Sequence, residues 1–141
     1  MTGMMMLMSR PGISAVAEDN RGRIVGYVLA RIKNSTESDG AIHGHVGSIS
    51  VLRSHRRQGI ARKLLTLSLR VMAEKYKTSH VTLNVRKSNA GARALYEAIG
   101  FKSFVSRKPF YADGESAVGM IIAVDQIVRE QLSRRYMLAN P

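Results

Sequence analysis

The chain has 141 residues, of which 45% are hydrophobic and 23% charged, a balance that fits one globular domain and makes disorder no default. It has no cysteine, which excludes a disulfide scaffold, a thiolate metal site and a Cys nucleophile, and which suits a cytoplasmic setting, with a nuclear one left open. Its 22 Lys and Arg against 10 Asp and Glu leave a net charge of +12, a field that favours anionic partners such as a phosphate-rich cofactor, acidic peptides or RNA.

Residues 1–12 are rich in methionine and close with Arg10-Pro11-Gly12; the apolar run is too short to span a membrane and reads as a disordered lead-in. Residues 13–18 and 24–32 read as strands joined by the turn Asp19-Asn20-Arg21-Gly22. A polar loop over 34–40 precedes a third strand over 43–52. Leu64, Leu65, Leu69, Val71 and Met72 recur at three- and four-residue steps, which predicts a helix over 61–75. Val81, Leu83 and Val85 alternate with Thr82, Asn84 and Arg86, which predicts a fourth strand, parallel to the third in a βαβ unit.

Ser88 is the expected cap of a second helix carrying Ala92, Leu95, Tyr96 and Ile99, and Gly100 is its stop. Strands are expected over 101–106 and 116–124, separated by the turn Asp113-Gly114, and a peripheral helix over 125–138. The chain thus divides into a lead-in (1–12), one α/β domain with a mixed sheet (13–124) and a C-terminal tail (125–141). The four histidines, His43, His45, His55 and His80, have no metal-helix spacing, so no metal is expected.

The run Arg56-Arg57-Gln58-Gly59-Ile60-Ala61 lies between a β-branched stretch and the first helix. A glycine turn that opens a helix after a strand aims unpaired N–H groups at one point, with the positive end of the helix dipole behind them, and suits a phosphate. The run lacks both the Gly-Lys-Ser/Thr ending of a P-loop and the three glycines of a dinucleotide fingerprint. Its crowd of cations also fits a plain basic helix start.

The run matches Gln/Arg-x-x-Gly-x-Gly/Ala, and Asn89, Ala92, Leu95-Tyr96 and Gly100-Phe101 match Asn-x-x-Ala-x-x-Leu-Tyr-x-x-x-Gly-Phe at the right distance downstream. In these two motifs the chain resembles the GNAT acetyltransferases. Ile24–Ala30, Arg53–Arg57, Val85–Asn89 and Tyr111–Glu115 bring it nearer to the catalytic subunits of N-terminal acetyltransferase A complexes. The resemblance implies a GNAT fold and transfer of acetyl from acetyl-CoA to the α-amine of protein N-termini, by direct attack in a ternary complex.

On that resemblance Ile49, Ser50 and Val51 hold the pantetheine, Arg56, Arg57, Gln58, Gly59, Ile60 and Ala61 hold the pyrophosphate, and Asn89 adds a contact. Tyr96 is the implied acid toward the departing thiolate, and His45, with a reference pKa of about 6.5, the implied base. Asn84 stands where related enzymes carry a His or Glu; an amide accepts no proton but orients a water or the amine. A bulge near Gly47, Ser48 and Ser50 is the implied source of an oxyanion-binding N–H. Phe110 and Tyr111 are the implied clamp on the substrate N-terminus.

The α-amine, with a reference pKa of about 7.7–8.0 against about 10.4 for lysine, is already partly neutral near pH 7, which favours it as the acceptor. The alternatives are a ribosomal-protein N-terminal or lysine acetyltransferase and an acetyl-CoA-binding pseudoenzyme. A large auxiliary subunit and ribosome association are further implied, with no membrane and no sequence-specific nucleic acid among the partners. The family begins with a strand and two helices that 1–12 are too few to supply, so the cofactor half is expected to be complete and the acceptor half shortened.

Overall fold

The computed structural model describes residues 13–34, 42–104, 110–125 and 127, together with the backbone of 3–6. Strand β1 (Gly3–Met6) pairs antiparallel with β2 (Ala15–Glu18), which corrects the expected lead-in: this segment joins the sheet. Strand β3 (Ile24–Asn34) follows a turn that Asp19 organises through its carboxylate, whose Oδ1 accepts the N–H groups of Arg21 and Arg23 at 2.9 and 3.0 Å. Gly22 supplies the left-handed backbone there, with φ 77°.

Next come β4 (Ile42–Val51), a short 3-10 turn (Arg53–His55), helix α1 (Ile60–Glu74), β5 (His80–Arg86), helix α2 (Ala90–Ile99), β6 (Lys102–Phe104) and β7 (Ala117–Ala123). Among the described residues the sheet has seven strands, in the order β1-β2-β3-β4-β5-β7-β6. β4 and β5 are its parallel pair, as the βαβ reading requires, and the other pairings are antiparallel.

Helix α1 buries Leu64, Leu65, Leu69 and Met72 in one core with Val25, Val28, Val46, Val81 and Leu83. Leu64 is fully buried, so Leu64→Ala would cost about 2–5 kcal/mol. The Met72 side chain lies where a Cβ on Gly44 would stand, so any larger residue at 44 forces that side chain to move. Ser68, fully buried, donates to the Ile13 carbonyl at 2.6 Å, which satisfies its hydroxyl and ties α1 to the start of β2.

Helix α2 starts one residue later than expected. Its cap is Asn89, whose side-chain oxygen accepts the Ala92 N–H at 3.2 Å, while the Ser88 hydroxyl bonds Glu115 instead. The helix ends at Gly100 with φ 124°, where only glycine is unstrained. Val124 and Asp125 take up helical backbone and Ile127 reaches the core; the rest of the expected 125–138 helix, the 34–40 loop beyond Asn34 and the 105–106 strand end lie outside the described residues.

Candidate active site

Two breaks in the regular sheet make the site. β4 and β5 pair only through Gly44–Val81, His45–Thr82 and Val46–Leu83, and then part. In the same place the register of β3 against β4 jumps from Leu29–Ser48 to Ala30–Val46, leaving Gly47 as the extra residue of a bulge. A sheet that splits leaves the β4 edge beyond Val46 without its β5 partner.

A cavity of about 610 Å³ runs along that edge toward α1, lined by Ile49, Ser50 and Val51, by Arg56, Arg57, Gly59, Ile60 and Ala61, and by Asn89 and Tyr96. Helix α1 opens on it with Gly59 as N-cap, no side-chain cap and no acidic residue in its first turn, so its N-terminal N–H groups and positive dipole end are unneutralised by the chain. Gly59 has φ 78° and Arg57 φ 63°, two left-handed residues that curl the loop around the helix start. The Arg56 Nε donates to the Val51 carbonyl at 3.0 Å, which fixes the loop to the end of β4.

The structure gathers every expected cofactor residue into this wall except Gln58, which is exposed and outside it. It adds His55, Arg62, Gly91, Ala92 and Leu95. Arg62 was legible as a residue of the helix's first turn, and Ala92 and Leu95 belong to the downstream motif. An uncapped helix start among Arg56, Arg57 and Arg62 fits the phosphate groups of an anionic ligand.

A second cavity, about 300 Å³, occupies the split itself and is lined by Val46, Gly47, Ser48, Ile49, Asn84, Arg86, Asn89, Tyr96 and Tyr111 among others. Ile49, Asn89 and Tyr96 belong to both cavities, so the two meet there. Tyr96 is buried, and its hydroxyl is held protonated above its ordinary value by that burial, with the nearby Tyr111 adding to the effect. Asn84 is exposed on β5 at the cavity wall.

His45 and Phe110 lie outside both cavities. His45 lies on β4 before the bulge, outside both cavities, with its Nδ1 2.8 Å from the Thr82 hydroxyl. Burial first, then the charges of Lys33, Arg31 and His43, lower its pKa to about 4. Such a group is a poor acceptor for an α-ammonium with a pKa near 8. Phe110 is 63% exposed in an isolated bridge to Ser116 and lines neither cavity, whereas Tyr111 does face the smaller one. Among the described residues no group of three or more His, Asp or Glu is placed to hold a metal, and no helix is long and apolar enough to cross a membrane.

The acetyltransferase (GNAT) family profile matches residues 5–101, including part of the segment expected to be a lead-in. This chain belongs to the GNAT acetyltransferase family. It is 44% identical to the N-terminal acetyltransferase A complex catalytic subunit NAA10 of Arabidopsis thaliana, over 81% of this chain and 58% of the relative. It is also 44% identical to the corresponding subunit ard1 of Schizosaccharomyces pombe, over 80% of this chain and 64% of the relative. The chain thus spans about three fifths of the length of these curated relatives.

Among solved structures it resembles Chaetomium thermophilum Naa20 in complex with a bisubstrate analogue, with a TM-score of 0.70 and 29% identity over 83% of this chain and 68% of that one. The GNAT family and fold implied by the two motifs are therefore those of the protein.

Proposed function

We propose that this chain transfers the acetyl group of acetyl-CoA to the free α-amine of protein N-termini. The observation that carries the reading is the junction of two cavities at Ile49, Asn89 and Tyr96. One cavity has the chemistry of a phosphate site and the other opens from the split strands toward Tyr111. The likeness to named N-terminal acetyltransferases selects the acceptor class.

In this reading the first turn of α1 with Arg56, Arg57 and Arg62 holds the pyrophosphate, and the free edge of Ile49–Val51 holds the pantetheine by strand-like hydrogen bonds. The amine nitrogen attacks the thioester carbonyl, and a bulge N–H near Gly47 and Ser48 stabilises the oxygen that gains charge. As the carbon–sulfur bond breaks, the Tyr96 hydroxyl gives the thiolate its proton and is reprotonated from solvent. The amine arrives neutral, and the proton its nitrogen sheds as the amide forms passes to water ordered by Asn84.

Partners follow the same reading: a large auxiliary subunit, since both relatives are named as subunits of a complex, and ribosomes in the cytoplasm, to which the +12 charge is suited. Mass spectrometry of reactions with peptides beginning in Ser, Ala, Glu or Met, each with one internal lysine, tests the proposal. Acetylation at the α-amine supports it. Lysine modification favours the lysine acetyltransferase, and acetyl-CoA binding without product favours a pseudoenzyme.

A further inference from the structure

The end of β5 carries a side-chain network that the acetyl-transfer reading leaves unused. Arg86, the last residue of β5, places its Nη1 2.8 Å from both Asp113 Oδ2 and Glu115 Oε2, across 27 and 29 residues of sequence. Its guanidinium carbon also lies 4.2 Å from the centroid of the Tyr111 ring. The turn it grips is closed on itself. Tyr111 N–H donates to the Glu115 carbonyl, Gly114 N–H to the Tyr111 carbonyl, both at 2.9 Å, and Glu115 N–H to Asp113 Oδ1 at 3.0 Å.

The other Glu115 oxygen accepts from Ser88, through its backbone N–H at 3.3 Å and its hydroxyl. Lys87 N–H adds a bond to the Ser116 carbonyl at 3.0 Å. Ser88 directly precedes Asn89, the cap of α2 and a wall of both cavities. One carboxylate therefore bridges the Tyr111 turn to the helix start that carries Asn89.

We propose that Arg86 is a positioning residue: by gripping both carboxylates of the 111–115 turn and stacking on Tyr111, it sets Tyr111 as a wall of the acceptor cavity. This rests on the acetyl-transfer reading for the meaning of that cavity. Single exposed ion pairs contribute little to stability, and the product here is geometry. A planar guanidinium grips two carboxylates and covers a ring at once, which the compact ammonium of a lysine does not.

The test uses the full chain as wild type, Arg86→Gln and Arg86→Lys, each also in a Tyr111→Leu background. For an N-terminal peptide, kcat/KM should fall about tenfold in Arg86→Gln, chiefly through the peptide KM, while acetyl-CoA affinity stays within about twofold. Arg86→Lys should not restore it. In the Tyr111→Leu background, Arg86→Gln should add less than about a twofold loss, because the arginine acts through the ring.

Additive losses, rescue by lysine, or a matching loss of acetyl-CoA affinity would each overturn the assignment. Amide exchange decides the grip without any turnover. Tyr111 and Gly114 should exchange about tenfold faster in Arg86→Gln while α1 keeps its protection. Unchanged exchange refutes the grip, whereas a wild-type chain that acetylates no peptide refutes the acetyl-transfer reading and leaves the exchange result to judge Arg86.

Discussion

The two cavities that meet at Tyr96 are built by opposite means. The larger takes its anion-facing wall from one contiguous stretch, 55–62, where the groups that matter are backbone N–H donors at the start of α1. The smaller is assembled from β4, β5, α2 and the 111–115 turn, and its outer wall is held by side chains 27 and 29 residues apart in sequence. A phosphate site made of backbone needs only the right turn, since every residue supplies an N–H. A cavity walled by side chains needs each of them delivered by the fold.

The largest effect expected from breaking this contrast is on the cofactor side. Replacing Arg56 and Arg57 together by Glu puts negative charge at the open start of α1 and frees the Val51 carbonyl. Acetyl-CoA affinity should fall on the order of 100-fold, about 2.7 kcal/mol, by calorimetry, with the circular dichroism spectrum kept. Unchanged affinity would sink the phosphate-loop assignment.

At the junction the effect should move from binding to rate. Tyr96→Phe keeps the ring, which packs at 6.0 Å from Phe101, and removes the hydroxyl. A fall in kcat of about 100-fold with acetyl-CoA affinity intact marks Tyr96 as the acid; a kcat that holds makes it a packing residue.

The smallest effect on turnover is expected away from both cavities. His45→Gln should change kcat/KM by less than about twofold, and the pH profile should still rise with the α-amine near pH 7.7–8.0. Stability is where His45 should register. The unfolded chain takes up a proton near pH 6.5 that folded His45 refuses until about pH 4, so its contribution to stability is full above pH 6.5 and shrinks as pH falls through that window. In urea titrations at stepped pH, His45→Gln should flatten that slope. A slope unchanged by the substitution would show that His45 is not held neutral.

How far each region was legible follows from how it is made. The strand-turn-helix around Gly59 and the apolar faces of α1 and β5 were readable because they depend on residues close in sequence. Ser88 misled because a hydroxyl before a helix has a default partner in the helix itself, and here Glu115 outcompetes it. The place of His45 on its strand was legible and its distance from the split was not: the sheet splits only after Val46, and Thr82 pairs with His45 on the closed side. Arg86 stood inside a motif block, but nothing near it in the chain announced Asp113, Glu115 and Tyr111 as partners.

The sequence by itself determined the family, the βαβ unit and the phosphate-type loop, because backbone hydrogen bonding, glycine conformations and apolar period are local properties. Only the tertiary structure decided where β4 and β5 part, which residues share both cavities, that His45 stands outside them and that Arg86 carries the Tyr111 turn. Those depend on the register between strands and on side chains meeting across long loops, where a shift of one residue sends a side chain to the other face.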